Sequence, residues 1–245
     1  MVTLQESVIQ PLPPHTAEHL PESDGKPMAE TDVHRNQMID LLDCLKEYFR
    51  SDPHVYVTGN IFLYFINEEG ERQPISPDIF VVRGIEKKDR RIYNLEVEGK
   101  TPDVVIELTS RHTKVEDLGN KQVIYANLGV REYFIFDPLG EAFPTPLRGL
   151  RLEGTEYIPM AGRRLRSEVL GLDLVVEEGR LRLYDPRTGE RLLTHEESET
   201  ARRAAEAAHQ AAEAKAAEEA EARRRAEAEL ARLREELARL QSQKS

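Results

Sequence analysis

Apolar residues first recur at helical spacing in an early segment of the chain. Thr31 or Asp32 can cap this segment, and Ser51-Asp52-Pro53 is suited to end it. Its apolar positions lie three or four residues apart and are Met38, Leu41, Leu42, Leu45 and Phe49. This spacing predicts an amphipathic helix of roughly five turns.

Short apolar runs with the lengths of β-strands follow this helix. They cover residues 55–57 and 61–66 (a strand or bent hairpin), 77–82, 92–97 (a short strand or loop), 102–108 and 132–137. The run at 102–108 has the pattern of a strand buried on both faces. Residues 115–128 read as a helix with Gly129 at its C-terminal cap. We therefore expect a right-handed β-α-β unit in an α/β fold, with helices flanking a mixed central sheet.

The last third of the chain changes character twice. Residues 150–152 and 181–184 alternate in polarity, which suggests short antiparallel strands at the edge of the core. From residue 196 the composition shifts to Ala, Glu and Arg without Gly or Pro, which predicts one long helix. Four leucines near its end follow 3-4-3 spacing: Leu230, Leu233, Leu237 and Leu240. This helix is either solvated or the seam of a homodimeric coiled coil.

These shifts divide the chain into three predicted regions. Residues 1–28 form an extended or disordered N-terminal arm, 29–195 an α/β domain, and 196–245 the Ala/Glu/Arg-rich helix. The single cysteine, Cys44, lies in the apolar pattern of the first helix, so we expect a buried thiol. With no apolar run long enough to span a membrane and no signal peptide, we expect a cytoplasmic protein without a membrane partner.

Net charge limits the function classes. The chain carries a formal charge of −11 and is 32% charged residues, so it is not a general polyanion binder. Contact with nucleic acid would require a local basic surface or bound cations. A site that holds a divalent metal through carboxylates is compatible with this charge balance.

Two carboxylates stand in or beside apolar strands. Asp78 opens the run at 77–82, and Glu107 interrupts the run at 102–108. A carboxylate in such a place needs a partner charge or a metal. Lys121 lies near the apolar face of the following helix and can reach the end of the Glu107 strand. Two acids and one ammonium suit phosphodiester hydrolysis, with the acids holding Mg²⁺ or Mn²⁺ and the lysine stabilising charge.

Simpler interpretations of these residues stay open. Asp78 and Asp103 both follow a proline and can belong to turns or strand edges, and Glu107 can form a structural ion pair. Lys121 is four residues after Asp117, the spacing of an ordinary helical salt bridge. Two histidines need separate notice. His34 either lines the site or, as we favour, lies on the surface of the first helix, and His112 reads as a solvated loop residue.

At this point the sequence resembles a family. The segments PISPDIFVVRG and KTPDVVIELTSRHTKVEDLGNKQVIYANLGVREYFIFDPLGE are similar to the Uma-two family of restriction-endonuclease-like proteins, within the PD-(D/E)XK nuclease superfamily. The likeness runs from about residue 20 to about residue 194. It implies a restriction-endonuclease-like fold and a Mg²⁺- or Mn²⁺-dependent endonuclease that acts on nucleic acid, with DNA the preferred substrate.

The resemblance also assigns roles to residues. It implies that Asp78 and Glu107 bind the metal and that Asp78, Glu107 and Lys121 are catalytic. The superfamily's lysine falls two residues after the acid, where this chain has Thr109, and the family pattern moves the lysine to Lys121. Asp117 and Tyr125 are further candidate members. The alternative is a non-catalytic nucleic-acid-binding or scaffold module with a coiled-coil tail.

Overall fold

The computed structural model describes residues 20–22, 31–110, 115 and 118–242, without the side chains of 236–238 and 240–242. The chain divides after Thr194 into two compact units. Nearly all of the predicted N-terminal arm lies outside the described residues, as do His112 and Asp117. Within the described part, no helix is long and apolar enough to cross a membrane.

The first unit contains three described helices and twelve described strands. The helices are α1 (Asp32–Tyr48), α2 (Leu95–Glu98) and α3 (Asn120–Asn127). The strands are β1 (Val55–Thr58), β2 (Leu63–Ile66), β3 (Arg72–Ile75), β4 (Ile79–Arg83), β5 (Tyr93–Asn94), β6 (Val104–Leu108), β7 (Glu132–Phe136), β8 (Leu147–Glu153), β9 (Glu156–Pro159), β10 (Arg164–Ser167), β11 (Leu172–Glu177) and β12 (Arg180–Tyr184).

A mixed sheet of six strands forms the centre of this unit. Its order is β1-β4-β6-β7-β8-β9, in which β6 and β7 are parallel and the other neighbours are antiparallel. Every residue of β6 and β7 is buried, because both faces of the sheet are covered. The predicted β-α-β unit and the mixed α/β class are confirmed.

Each face of the central sheet packs against a different layer. The α1 face shares its hydrophobic cluster with the sheet β10-β11-β12 and includes Leu45 and Ile106. The opposite face packs with α3 and with the sheet β3-β2-β5, and includes Val105 and Tyr125. Since side chains alternate along a strand, Glu107 lies on the same face as Val105 and therefore meets α3.

Helix α1 begins and ends close to where the sequence predicts. Thr31 is its N-terminal cap, and its Oγ1 accepts a hydrogen bond from the backbone N–H of His34. Cys44 is buried, as predicted, and its thiol donates to the carbonyl oxygen of Leu193. Helix α3 ends before Gly129, whose φ of 78° suits the glycine predicted there. The predicted start of that helix lies partly outside the described residues.

Several expectations about the strands are wrong. β1 and β2 do not form a bent hairpin, because β1 pairs with β4 while β2 pairs with β3 and β5 in a separate sheet. The short strand expected within residues 92–97 is present as β5, but the one-turn helix α2 that follows it was not predicted. The segment 72–75 is a strand that sequence analysis missed. The last three strands form their own sheet, so of the strands after residue 138 only β8 and β9 belong to the central sheet, with β9 at its edge.

The second unit is the helix α4 (His195–Ser242). Nearly all of its described side chains are solvent-exposed, including Leu230 and Leu233 of the leucine pattern. Ion pairs at i,i+4 spacing, such as Arg202 with Glu206 and Arg223 with Glu227, follow from the interspersed charges. The side chains of Leu237 and Leu240 lie outside the described part.

Candidate functional site

The strands β4 and β6 bring the two predicted acids together. Ile79 pairs with Ile106 across these antiparallel strands, so the residues beyond them, Asp78 and Glu107, are opposite each other. The backbone N–H of Asp78 donates to Glu107 Oε2 at 3.3 Å. The backbone N–H of Leu108 donates to Asp78 Oδ2 at 2.7 Å. Both acids are therefore fixed at the carboxyl end of β6.

Helix α3 supplies two partners to Glu107. The Lys121 ammonium lies 3.1 Å from Glu107 Oε2, and the Tyr125 hydroxyl donates to Glu107 Oε1 at 2.6 Å. Lys121 and Tyr125 are four residues apart and so project from one face of the helix. The Glu107 side chain is 0% exposed, which makes these contacts necessary to offset the cost of burying a carboxylate.

Charges around Asp78 set its protonation state. Burial alone would raise the pKa of Asp78, but the hydrogen bond from His34 and the positive charges of Lys121 and His34 outweigh it. The pKa of Asp78 consequently lies below its usual value, which keeps this carboxylate ionised. Burial, and then the neighbouring Glu107 carboxylate, hold the pKa of Tyr125 well above its ordinary range, so its hydroxyl remains a donor.

His34 belongs to this cluster, so the favoured surface position is wrong. Its Nε2 lies 2.9 Å from the carbonyl oxygen of Leu108 and 3.5 Å from Asp78 Oδ2. A signal for this was present in the sequence. His34, Met38, Leu41 and Leu45 share the i, i+4, i+7, i+11 spacing of one helix face, and that face is the buried one.

Two other candidate positions, Asp103 and Thr109, make no recorded contact with the two acids. Asp103 is at the opposite end of β6, where it pairs with Arg131 at 2.7 Å and accepts from the backbone N–H of Arg83. The second Pro-Asp pair is thus outside the cluster. Thr109, at the superfamily's lysine position, is buried, while Lys121 reaches Glu107 from the helix.

A family model described as "Putative restriction endonuclease", Uma2, matches residues 9–202 of the chain. The chain belongs to the Uma2 family. The resemblance drawn from the sequence is thereby confirmed, and membership in Uma2 supports a nuclease function. No curated protein matches the chain.

One solved structure similar to this Uma2 member is a "putative nuclease belonging to DUF820" from Anabaena variabilis. The two chains are 15% identical, and the TM-score is 0.45. The match covers 62% of this chain and 86% of the other.

The oxygen atoms of the Asp78 and Glu107 cluster are of the kind that bind divalent cations. Among the described residues, no three His, Cys, Asp or Glu side chains form a metal site by themselves. A cation here therefore needs a further ligand. The carbonyl oxygen of Leu108 lies 2.9 Å from His34 Nε2, and that nitrogen lies 3.5 Å from Asp78 Oδ2. Carboxylate and carbonyl oxygens are the ligands that Mg²⁺ and Mn²⁺ accept. Asp78, Glu107 and the Leu108 carbonyl fit such an ion.

Proposed function

We propose that this Uma2 protein is a divalent-metal-dependent endonuclease that hydrolyses phosphodiester bonds in nucleic acid, with DNA as its substrate. The observation that carries the proposal is the buried contact between Lys121 and Glu107, with the Asp78 backbone N–H on the same carboxylate. Two acids and one ammonium meet at the end of β6, whereas a structural ion pair would require only one acid and one base. The family description supports a nuclease acting on DNA.

The chain's own groups have separate tasks in this proposal. Asp78 and Glu107, with the Leu108 carbonyl, would hold Mg²⁺ or Mn²⁺. When bound, such an ion polarises a phosphate and acidifies water. Lys121 keeps a positive charge where negative charge develops as water adds to phosphorus and one P–O ester bond breaks. Tyr125 is a positioning residue, because its hydroxyl fixes the Glu107 carboxylate.

A plasmid-nicking assay in Mg²⁺ or Mn²⁺ tests the site. Asp78→Asn, Glu107→Gln and Lys121→Met are each expected to slow nicking by about 100-fold or more, as losses of preorganised charge at an active site do. Asp103→Asn removes the acid of the other Pro-Asp pair, and Lys100→Met removes a lysine outside the cluster. Both control variants are expected to retain nicking.

Two results would overturn this proposal. Nicking that persists in all three site variants would mean that the cluster does not carry the reaction. Nucleic-acid binding by the wild-type protein without any divalent-dependent cleavage would favour a binding or scaffold module in place of an enzyme.

The domain organisation is part of the same proposal. Residues 29–195 would form the nuclease domain, and residues 196–245 would be a helix that pairs two copies of the chain. Support comes from Leu230 and Leu233, which are 50% and 57% exposed and continue into the leucine pattern toward the C-terminus. Sedimentation should give a dimer for the full chain and a monomer for residues 1–195. An unchanged association state after truncation would contradict the pairing.

A further inference from the structure

A groove with basic walls runs along β1, an edge strand of the central sheet. We call it the β1 groove, and its volume is about 640 Å³. Its charged lining consists of one acid, Asp89, and four basic residues: Lys46 in the last turn of α1, and Lys87, Lys88 and Arg90 in the loop between β4 and β5. The β1 groove therefore concentrates positive charge in a chain whose formal net charge is −11.

The three lysines of the β1 groove keep their charges available to a ligand, and all three are solvent-exposed. Lys87 Nζ contacts the carbonyl oxygens of Phe49 and Arg50, at 3.4 and 3.5 Å. Within the described part of the chain, no ion pair joins Lys46 or Lys87 to an acid. Lys88 lies 3.6 Å from the exposed Glu86, and an exposed pair of this kind contributes little. These ammonium groups can therefore bind a further anion.

Arg90 fixes the loop that carries two of the lysines. Its guanidinium pairs with Glu98 at 2.7 Å and lies 4.3 Å from the centre of the Tyr56 ring. The same guanidinium donates to the carbonyl oxygens of Glu86 and Lys88, at 3.2 and 3.1 Å. Arg90 is buried, so these bonds hold the loop from inside the protein. A ligand that binds the lysines then has less chain to order.

The β1 groove leads to the candidate active site. Thr58 lines the groove and is opposite Phe80 across β1 and β4, so it lies two residues, or roughly 7 Å, along the strands from Asp78. The next residue of the chain, Gly59, packs directly on the Asp78 backbone. A long anionic chain bound in the groove would therefore continue to the acids at the carboxyl end of β6.

We propose that the β1 groove binds the phosphate backbone of duplex DNA through Lys46, Lys87 and Lys88 and leads one strand to the active site. The inference rests on the proposed nuclease function and names the surface that holds its substrate. Lysine ammonium groups bind phosphates as point charges, and such contacts supply affinity and position without reading sequence. Lysines beside an edge strand also hinder its pairing with another chain, which is a role without DNA.

Fluorescence anisotropy of a labelled DNA duplex, titrated with the full chain in the presence of a chelator, measures binding without metal-dependent cleavage. Two variants undergo the same change in net charge. The groove variant combines Lys46→Gln, Lys87→Gln and Lys88→Gln. The control variant changes three exposed residues outside the groove and combines Arg163→Gln, Arg203→Gln and Lys215→Gln.

The groove variant should bind DNA about tenfold or more weakly than wild type at physiological salt. Each lysine that contacts a phosphate contributes about 0.9 to the slope of log K against log salt concentration, so the slope should fall in magnitude by about 2–3. The loss should be the same for unrelated duplex sequences, because phosphate contacts do not read bases. The control variant should keep the wild-type slope.

Acetylation of the wild-type lysines, followed by mass spectrometry, gives a test that requires no variant. Bound DNA should protect Lys46, Lys87 and Lys88 from the reagent. Lys215 of α4 is also exposed and should be modified to the same extent with and without DNA. This measurement decides the question if the groove variant folds poorly.

The outcomes separate this inference from the proposed function. A wild-type slope in the groove variant, or groove lysines that DNA does not protect, would overturn the assignment of the groove, and the nuclease would then use another surface. Self-association of such a variant would show that the lysines protect the β1 edge instead. Wild-type protein that binds no DNA would also overturn the assignment. Groove-dependent binding without any divalent-dependent nicking would support the groove and refute the nuclease function alone.

Discussion

The Tyr125 hydroxyl offers a quantitative test of the charge on Glu107. Tyr125 and Glu107 are both completely buried, and the hydroxyl donates to Glu107 Oε1 at 2.6 Å. Tyr125→Phe removes this donor, so Glu107 Oε1 would stay buried without the hydrogen bond from the hydroxyl. Hydrogen bonds to charged groups contribute about 1.5–3 kcal/mol, so the free energy of unfolding should fall by about that amount.

The chain contains a matched control for this change. The Tyr157 hydroxyl donates to the Val130 carbonyl oxygen at 2.8 Å, and that acceptor is neutral. Tyr157→Phe should therefore lower the free energy of unfolding by only about 0.5–1.5 kcal/mol. Urea denaturation of both variants, followed by fluorescence and circular dichroism, measures the two changes in the free energy of unfolding. The comparison is valid if the dependence of that free energy on urea concentration has the same slope in each variant.

A double-mutant cycle identifies the acceptor. In a Glu107→Gln background the Tyr125 hydroxyl would donate to a neutral amide oxygen, so Tyr125→Phe should cost about 1 kcal/mol there. An effect of Tyr125→Phe no larger than that of Tyr157→Phe, and unchanged by Glu107→Gln, would refute the buried, charged Glu107 on which the site depends.

Three further predictions concern metal binding, backbone packing and pH. An excess of Mn²⁺ should raise the melting temperature of the wild-type protein, with about 2.7 kcal/mol of stabilisation at 100 times the dissociation constant, and Asp78→Asn should abolish this shift. Gly59→Ala should destabilise the fold by about 1–3 kcal/mol in chemical denaturation, because its Cβ would lie 1.9 Å from the backbone oxygen of Asp78. A Cβ at Gly154 would meet no atom within 4 Å, so Gly154→Ala should lower the free energy of unfolding only by the smaller cost of its positive φ. Equal losses of stability in Gly59→Ala and Gly154→Ala would contradict the packing argument. Hydrogen bonds from the side chain and backbone of Arg187 lower the pKa of Asp185 from 3.8 to about 2, so this carboxylate stabilises the fold above pH 3.8 and loses that effect as pH falls toward 2. The stability difference between wild type and Asp185→Asn should narrow over that pH range, and a constant difference would exclude the charge as its source.

The acids and the strands that carry them could be predicted because both signals are local. Glu107 interrupts a run whose apolar residues mark a buried strand, and Asp78 opens another such run after Pro77. Lys121 could be placed near the apolar face of its helix by spacing alone. Its ammonium was expected at the end of the Glu107 strand, and it lies 3.1 Å from Glu107 Oε2.

The features that were missed depend on long-range packing. The runs at 55–58 and 63–66 look alike in sequence, yet they enter different sheets. Between them the chain bends at Asn60, whose φ is 54°, and Gly59 packs directly on the Asp78 backbone. Pairing of this kind is set by the tertiary structure and not by the local pattern.

The position of His34 shows the same limit. Its helical face was readable from the spacing with Met38 and Leu41, but histidine is intermediate in burial among the residue types, so its identity did not decide between surface and interior. What decides its place is that α1 crosses the end of β6, which brings Nε2 to the Leu108 carbonyl oxygen across 74 positions of sequence. No local pattern specifies that crossing.

Anomalous X-ray diffraction from crystals of the full-length protein grown with Mn²⁺ tests the central claim most directly. The account predicts one strong manganese peak at the carboxyl end of β6, within about 2.0–2.6 Å of an Asp78 oxygen, a Glu107 oxygen and the Leu108 carbonyl oxygen. Ordered protein with no peak there, while Glu107 keeps its contacts with Lys121 and Tyr125, would contradict it.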